Sequence, residues 1–226
     1  MPRAVIEITP LARRRADAVA VVAGLVVLGA GMVAVRDGTV SDLEESVFDA
    51  INGLPDALHP LLWPFQQLGA LFVGPLVAIA AVLARRPRLA IAALAATIAK
   101  LVTERLVKAM VTRERPGTSI GPDIHMRGDV HATGESFVSG HAVLIAALAG
   151  LVAPYLPGRW KVVPWALVAG VMVGRVYVGA HNPLDVVCGA ALGIAIAGVI
   201  NLVLGVPSPG TRSVEPDVVR GSSRMC

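Results

Sequence analysis

The sequence predicts an all-α membrane protein with six transmembrane helices and a short interfacial helix in the first outer loop. The composition is the first observation: of 226 residues, 55% are hydrophobic and 16% are charged, with a mean hydropathy of +0.69. A soluble domain carries about 25% charged residues, so this chain has too little charge to cover a water-facing surface. The second observation is that apolar residues are concentrated in runs of about 20, the length that crosses a hydrocarbon core.

The six predicted spans follow one another with mostly short connections. They cover roughly residues 16–35, 59–84, 89–111, 139–155, 162–178 and 183–206. The second span contains Pro64 and Pro75, where we expect kinks that neighbouring helices must support. We therefore divide the chain into a cytoplasmic N-terminal segment (1–15), a membrane domain (16–206) and a flexible cytoplasmic tail (207–226).

Two segments of this domain carry patterns of their own. The acidic connection 36–59 places Leu43, Val47, Phe48 and Ile51 at helical spacing, which predicts the short interfacial helix. The third span places three charged residues four apart on one face, where the acid can pair with either lysine; they are Lys100, Glu104 and Lys108. Because a charge at mid-bilayer costs about 2.5–3.5 kcal/mol, this face is expected to point into the bundle or a wet cavity.

The distribution of Lys and Arg predicts the orientation. With six spans the termini share one side with the turns at 85–88 and 157–161, and that side holds twelve Lys and Arg. The loops of the other side hold only Arg36, Arg113, Arg115 and Arg127. The positive-inside rule therefore places the termini in the cytoplasm. We expect the protein to lie in the plasma membrane.

Three short motifs then fall on the outer face. They are Lys108-x6-Arg115-Pro116, Ser139-Gly140-His141 and Arg175-x5-His181-x3-Asp185. The motifs contain three cations, Lys108, Arg115 and Arg175, which would repel one another at low dielectric and therefore favour a bound anion. The planar guanidinium group of Arg suits phosphate oxygens. Ser139 and Gly140 at a helix start add a hydroxyl and free backbone N–H groups. His181 has the chemistry of a nucleophile, and Asp185 can hold its other ring nitrogen.

Each motif residue also has a structural interpretation when taken alone. Asn182, Pro183 and Asp185 form a good helix start in which the acid is a capping residue. Arg175 alone is equally an anchor that reaches the membrane surface, and a single histidine is more often structural. The ordered occurrence of all three motifs on one face favours the functional interpretation.

Taken together, the motifs resemble those of the type 2 phosphatidic acid phosphatase superfamily, over roughly residues 60–200. That superfamily holds membrane lipid phosphatases and, more distantly, vanadium-dependent haloperoxidases. The resemblance implies that His181 attacks phosphorus to give a phosphohistidine, while His141 protonates the leaving alkoxide and then activates water. It assigns phosphate binding to the remaining motif residues, which are Lys108, Arg115, Ser139, Gly140 and Arg175. Two positions depart from the family pattern: Val138 replaces a proline, and Gly174 replaces a serine.

From the sequence we therefore expect a phosphatase that acts on a lipid phosphate or pyrophosphate at the outer membrane face. Candidate substrates are polyprenyl pyrophosphate, phosphatidic acid and phosphatidylglycerol phosphate. We expect no cofactor, no metal and no nucleic-acid partner, and the sequence leaves the oligomeric state open. The alternatives are a vanadate-dependent haloperoxidase, disfavoured because those relatives are soluble, and a lipid-phosphate binding or transport protein without turnover.

Overall fold

The computed structural model describes residues 6–8, 11–207 and 212–214, and these residues are predominantly helical. The α-helices are α1 (Arg15–Ala34), α2 (Asp42–Asn52), α3 (His59–Leu68), α4 (Val73–Leu83), α5 (Pro87–Met110), α6 (Pro116–Ser119), α7 (Gly140–Val152), α8 (Val162–Tyr177) and α9 (Pro183–Leu204). Short 3-10 turns cover Asp56–Leu58, Ala153–Tyr155 and Gly158–Lys161.

The helices suit an integral membrane protein, but the count of six spans stays a prediction. By length and composition, α1 and α9 can each cross a membrane, and the bent pair α3–α4 would make a third span. Helix α5 has 24 residues but carries several charges, whereas α7 and α8 have 13 and 16 residues. Large apolar side chains on the outer surface of α1, α4 and α5 are exposed, among them Val19, Leu83 and Met110, as expected for contact with lipid.

The large bend in the second apolar run does not lie at either of the predicted prolines, Pro64 and Pro75. The second apolar run instead breaks between α3 and α4, at residues 69–72, with a bend of 69°. Pro64 lies inside α3 without ending it. Pro75 lies in the first turn of α4, where the missing N–H removes no intrahelical hydrogen bond. Gly69 ends α3, consistent with the poor helix propensity of glycine.

Helix α2 forms where the sequence predicts a short helix. Ser41 caps it, since its side chain accepts a hydrogen bond from the backbone of Glu44 at 3.3 Å. The predicted apolar face divides in two: Phe48 is fully buried, whereas Leu43 is 77% exposed. Phe48 contacts the cluster formed by α7, α8 and α9, so α2 is packed onto the helical core.

Helix α9 lies at the centre of the fold and packs most extensively against α7 and α1. Glycines allow this close approach, as in many membrane helix pairs. A Cβ atom on Gly189 would lie 2.7 Å from the backbone oxygen of Ser139, and one on Gly193 would overlap that of Val143. The backbone N–H of Ser139 donates to the backbone oxygen of Asp185 at 3.0 Å. The starts of α7 and α9, which carry the second and third motifs, are thereby held side by side.

The two ends of the chain meet in short antiparallel pairs. Strand β1 (Ile6–Ile8) pairs with β4 (Arg212–Val214), and β2 (Leu11–Ala12) pairs with β3 (Val206–Pro207). The predicted flexible tail therefore includes residues that pair with the N-terminal segment. The rest of the tail, residues 208–211 and 215–226, lies outside the described part of the chain.

Candidate active site

His181 lies in the short connection between α8 and α9, where it is 3% exposed. Its Nδ1 is 3.3 Å from the hydroxyl of Ser136 and 3.6 Å from Oδ2 of Asp185. Burial lowers the pKa of His181 to about 4, with the hydrogen-bonding Asp185 opposing this shift and the charge of Arg175 adding to it. At neutral pH the imidazole is therefore uncharged, and Nε2 is the nitrogen left for chemistry.

Asp185 is fully buried and accepts hydrogen bonds from three groups. Its Oδ1 accepts from Nη1 of Arg113 at 2.9 Å, and its Oδ2 accepts from the backbone of Asn182 at 2.8 Å and from the Ser136 hydroxyl. The capping interpretation of Asp185 and the proposed catalytic one are thus compatible. Ser136 contacts both the carboxylate and the imidazole, so the hydroxyl links the two groups that the sequence places four residues apart.

Arg113 connects this carboxylate to α2. It is 1% exposed and forms two hydrogen bonds with Glu44, of 3.1 and 2.6 Å. Burial disfavours its charge, but the hydrogen bonds and charges of Glu44 and Asp185 outweigh this and raise the pKa of Arg113. Glu44 also accepts from the backbone N–H of Leu184 at 2.8 Å, in the first turn of α9. One cation with two carboxylates leaves a net negative cluster beside His181, suited to stabilising a positive imidazolium ring.

Arg115 and Arg175 are paired differently. Nη1 of Arg175 donates to the side-chain oxygen of Gln66 at 3.0 Å, and Nη1 of Arg115 donates to the backbone oxygen of Ala180 at 3.4 Å. Burial lowers the pKa of Arg115, although the charges of Asp185 and Glu104 act in the opposite direction. Among the described residues neither arginine forms an ion pair with a carboxylate, and Nε of Arg175 is buried without a partner. Both cations are therefore available to an anion near His181.

The second motif forms the start of α7. The hydroxyl of Ser139 is buried and has no partner in the described part of the chain. A Cβ atom on Gly140 would lie 2.6 Å from Oε1 of Glu104, so a side chain at this position would collide with that acid. His141 is partly exposed and packs against the α3–α4 break, where a Cβ on Gly69 would lie 2.8 Å from its Cδ2.

Lys108 reaches the same region through Glu104. Its Nζ is 3.3 Å from Oε1 of Glu104 and donates to the backbone oxygen of Glu135 at 3.3 Å. Lys100 binds the other carboxylate oxygen of Glu104 at 2.7 Å. The acid thus pairs with both lysines, as the four-residue spacing indicates, and its carboxylate lies at the N-terminus of α7. Across residues 6–8, 11–207 and 212–214 no group of three or more His, Cys, Asp or Glu is arranged to hold a metal ion.

The sequence analysis assigns no role in the site to four of its residues: Glu44, Gln66, Arg113 and Ser136. Glu44 belongs to an acidic stretch, and no feature of the sequence distinguishes it from the other acidic residues there. Gln66 carried a usable signal, because a buried glutamine inside an apolar run needs a polar partner. Arg113 and Ser136 lie close to motif residues, but their spacing alone does not predict their contacts.

Comparison with known proteins agrees with the motifs and the fold. Residues 88–206 match the model of the PAP2 superfamily. The fold is similar to that of LpxE from Aquifex aeolicus, with 24% identity, a TM-score of 0.65 and coverage of 73% of this chain and 99% of that one. It is also similar to a PAP2-type phosphatidylglycerolphosphate phosphatase from Bacillus subtilis, with 18% identity, a TM-score of 0.57 and coverage of 82% and 94%. No curated protein sequence matches the chain. On the match over more than half of its length, the chain belongs to the PAP2 superfamily, that of the type 2 phosphatidic acid phosphatases.

Proposed function

We propose that this protein is an integral membrane phosphatase that hydrolyses a lipid phosphate or pyrophosphate monoester through a phosphohistidine on His181. Family membership supports phosphatase chemistry, and the structural neighbour from Bacillus subtilis is itself named a phosphatidylglycerolphosphate phosphatase. The apolar outer surface of the helices supports a substrate that is itself held in the membrane.

The observation that carries the proposal is the contrast in how the arginines near His181 are paired. Arg113 is neutralised by two carboxylates. Arg175 donates to a neutral amide and Arg115 to a backbone carbonyl. Partly buried cations without a counter-charge are favourable only when an anion is bound. Planar guanidinium groups bind phosphate oxygens with two parallel hydrogen bonds, so a phosphate group is the natural ligand.

The geometry then supports a two-step transfer. Nε2 of His181 forms a bond to phosphorus while the bond from phosphorus to the ester oxygen breaks, and His141 gives a proton to the departing alkoxide. Water attacks the phosphohistidine, His141 accepts its proton, and the bond between nitrogen and phosphorus breaks. The negative cluster around Asp185 stabilises the positive ring of the intermediate. Lys108, Arg115, Arg175 and the N-terminus of α7 stabilise the charge that develops on the phosphoryl oxygens.

The test is phosphate release by the purified protein in detergent micelles. A panel of phosphatidic acid, phosphatidylglycerol phosphate and polyprenyl pyrophosphate should yield inorganic phosphate from at least one member. Activity should persist in a strong chelator and be inhibited by orthovanadate, which mimics pentacoordinate phosphorus. Loss of activity on chelation, restored by magnesium or zinc, would show that the mechanism is of another class.

The same assay separates the alternatives. A protein that binds lipid phosphates and vanadate but releases no phosphate would be a binding or transport protein with the same anion site. Peroxide-dependent halide oxidation by the vanadate-loaded protein, without phosphate release, would identify a haloperoxidase. Vesicles with substrate in only one leaflet would test the proposed outer-face location of the site.

A further inference from the structure

Arg175 is partly buried, and it differs from the two buried arginines of the described chain, Arg113 and Arg127, in the charge of its partner. Arg113 binds Glu44 and Asp185, and Arg127 binds Asp56 at 2.8 Å. Arg175 donates instead to Oε1 of Gln66, a neutral acceptor, at 3.0 Å. The glutamine therefore fixes the direction of the guanidinium group and leaves its positive charge uncompensated.

Gln66 is an unusual residue for its position. It lies on α3 and is only 7% exposed, and its Nε2 is buried without a hydrogen-bond partner. An arginine can only donate hydrogen bonds, so the amide oxygen has to face Arg175 and the amide nitrogen has to point away. A side chain that packs only as a core residue would be better replaced by an apolar one. The polar group at position 66 is therefore explained by its contact with Arg175.

Gly174 provides the space through which Gln66 reaches Arg175. A Cβ atom at position 174 would overlap Nε2 of Gln66 and lie 3.4 Å from its Cδ. The serine that the family pattern has at this position would collide with the glutamine in the same way. The observed position of Gln66 thus requires a residue without a Cβ atom at position 174, more than a hundred positions away in sequence.

We propose that Gln66 is a positioning residue that orients Arg175 for the substrate phosphate without neutralising it, and that Gly174 is the residue that admits Gln66 to the site. This inference rests on the proposed function in that it takes a phosphate group as the ligand of Arg175. The physical reason is preorganisation: a guanidinium held in one orientation loses less freedom when it binds phosphate oxygens. A glutamate at position 66 would hold the same geometry but cancel the charge, which is why an amide serves here.

The first test compares isosteric replacements at position 66. Gln66→Met keeps the volume and removes the acceptor, and Gln66→Glu keeps the acceptor and adds a counter-charge. The probe is orthovanadate, whose dissociation constant is measured by titration of the purified protein. We expect Q66M to raise it about ten- to a hundredfold, the effect of losing one hydrogen bond to a charged group, and Q66E to raise it further. Gln67→Met is the matched control, because Gln67 is the adjacent residue on α3 and lacks the contact with Arg175; its dissociation constant should equal that of the wild type.

The second test is a double-mutant cycle between positions 66 and 174. Gly174→Ala alone should displace Gln66 and weaken vanadate binding about as much as Gln66→Ala alone. Once residue 66 is alanine, the added Cβ has room, so the variant Q66A/G174A should bind vanadate no more weakly than Q66A. A double variant whose losses simply add would overturn the proposed dependence of the two positions.

The readouts distinguish this inference from the proposed function. Vanadate binding needs no turnover. A wild type that binds vanadate but releases no phosphate would therefore refute the enzymatic activity, while the vanadate dissociation constants of the position-66 variants would still test the positioning role of Gln66. Equal vanadate dissociation constants for wild type, Q66M and G174A would refute the positioning role, even with full phosphatase activity in the wild type. A wild type that binds no vanadate would refute both. If Q66E does not fold, Q66M and the cycle decide the question.

Discussion

Replacement of Arg113 by methionine is the most informative perturbation of the site. Arg113 is 1% exposed and is the shared partner of Glu44 and Asp185. The methionine fills a similar volume but leaves two buried carboxylates without a counter-charge. Removing one partner from a buried ion pair typically costs about 3–5 kcal/mol. For a protein of this size that corresponds to a fall in the melting temperature of about 6–20 °C.

The assay is thermal unfolding in detergent, followed by the fluorescence of the three tryptophans. Arg36→Met is the matched control, because Arg36 makes a 3.4 Å contact with Asp37 in which both side chains are 72% exposed. An exposed pair contributes about 0–1 kcal/mol, so this variant should melt close to the wild type. Adding Glu44→Gln to R113M removes one of the two uncompensated charges and should recover part of the loss. If R113M and R36M melt at the same temperature, the ion cluster does not hold the site together.

Three further predictions concern the chemistry and the orientation. Brief reaction with labelled substrate should leave label on the protein, and this label should be stable in base and lost in acid. The His181→Asn variant should acquire no label. The His141→Ala variant should still acquire some label when the substrate has a good leaving group. Robust label on the His181→Asn variant would refute the nucleophile assignment. Because burial lowers the pKa of His181 from 6.5 to about 4, the neutral nucleophile persists in acid, so kcat/KM should stay high down to about pH 5. The unfolded chain binds more protons than the folded chain between these pKa values, so stability should decline as the pH falls from 6.5 toward 4. A half-maximal loss of kcat/KM near pH 6.5 in the pH–rate profile would contradict the buried, neutral state. Reporter fusions after Arg86 and Gly158 should read as cytoplasmic and one near Ile124 as external; the opposite result at Ile124 would overturn the outer-face location.

The sequence predicted the parts of the site that depend on short-range spacing. Asn182, Pro183 and Asp185 indicate the start of α9, and Glu104 indicates ion pairs with residues four positions away on the same helix face. Helix bounds follow the apolar runs to within a few residues, because burial and helical periodicity are local properties of the chain. The motif residues themselves come from the resemblance, and their catalytic roles remain proposals.

Contacts between distant segments could not be predicted in this way. Glu44 and Leu184 are joined by a hydrogen bond across 140 positions, and no periodicity relates them. The break at residues 69–72 was missed because proline was taken as the stronger signal, whereas Pro75 is harmless in the first turn of α4. The place of Ser136 beside His181 likewise depends on how the loop before α7 folds back onto α9.

Glu44 and Gln66 both precede residue 88, where the match to the superfamily begins. The segment 88–206 therefore contains every motif residue but lacks Glu44, one of the two acids that pair with Arg113, and the amide that holds Arg175. A chimera that joins this segment to the N-terminal part of a relative would bury Arg113 with one carboxylate fewer, unless the donor supplies an acid at the same place. In recombination, and in the inheritance of this site, the unit that has to stay together is longer than the segment that bears the motifs.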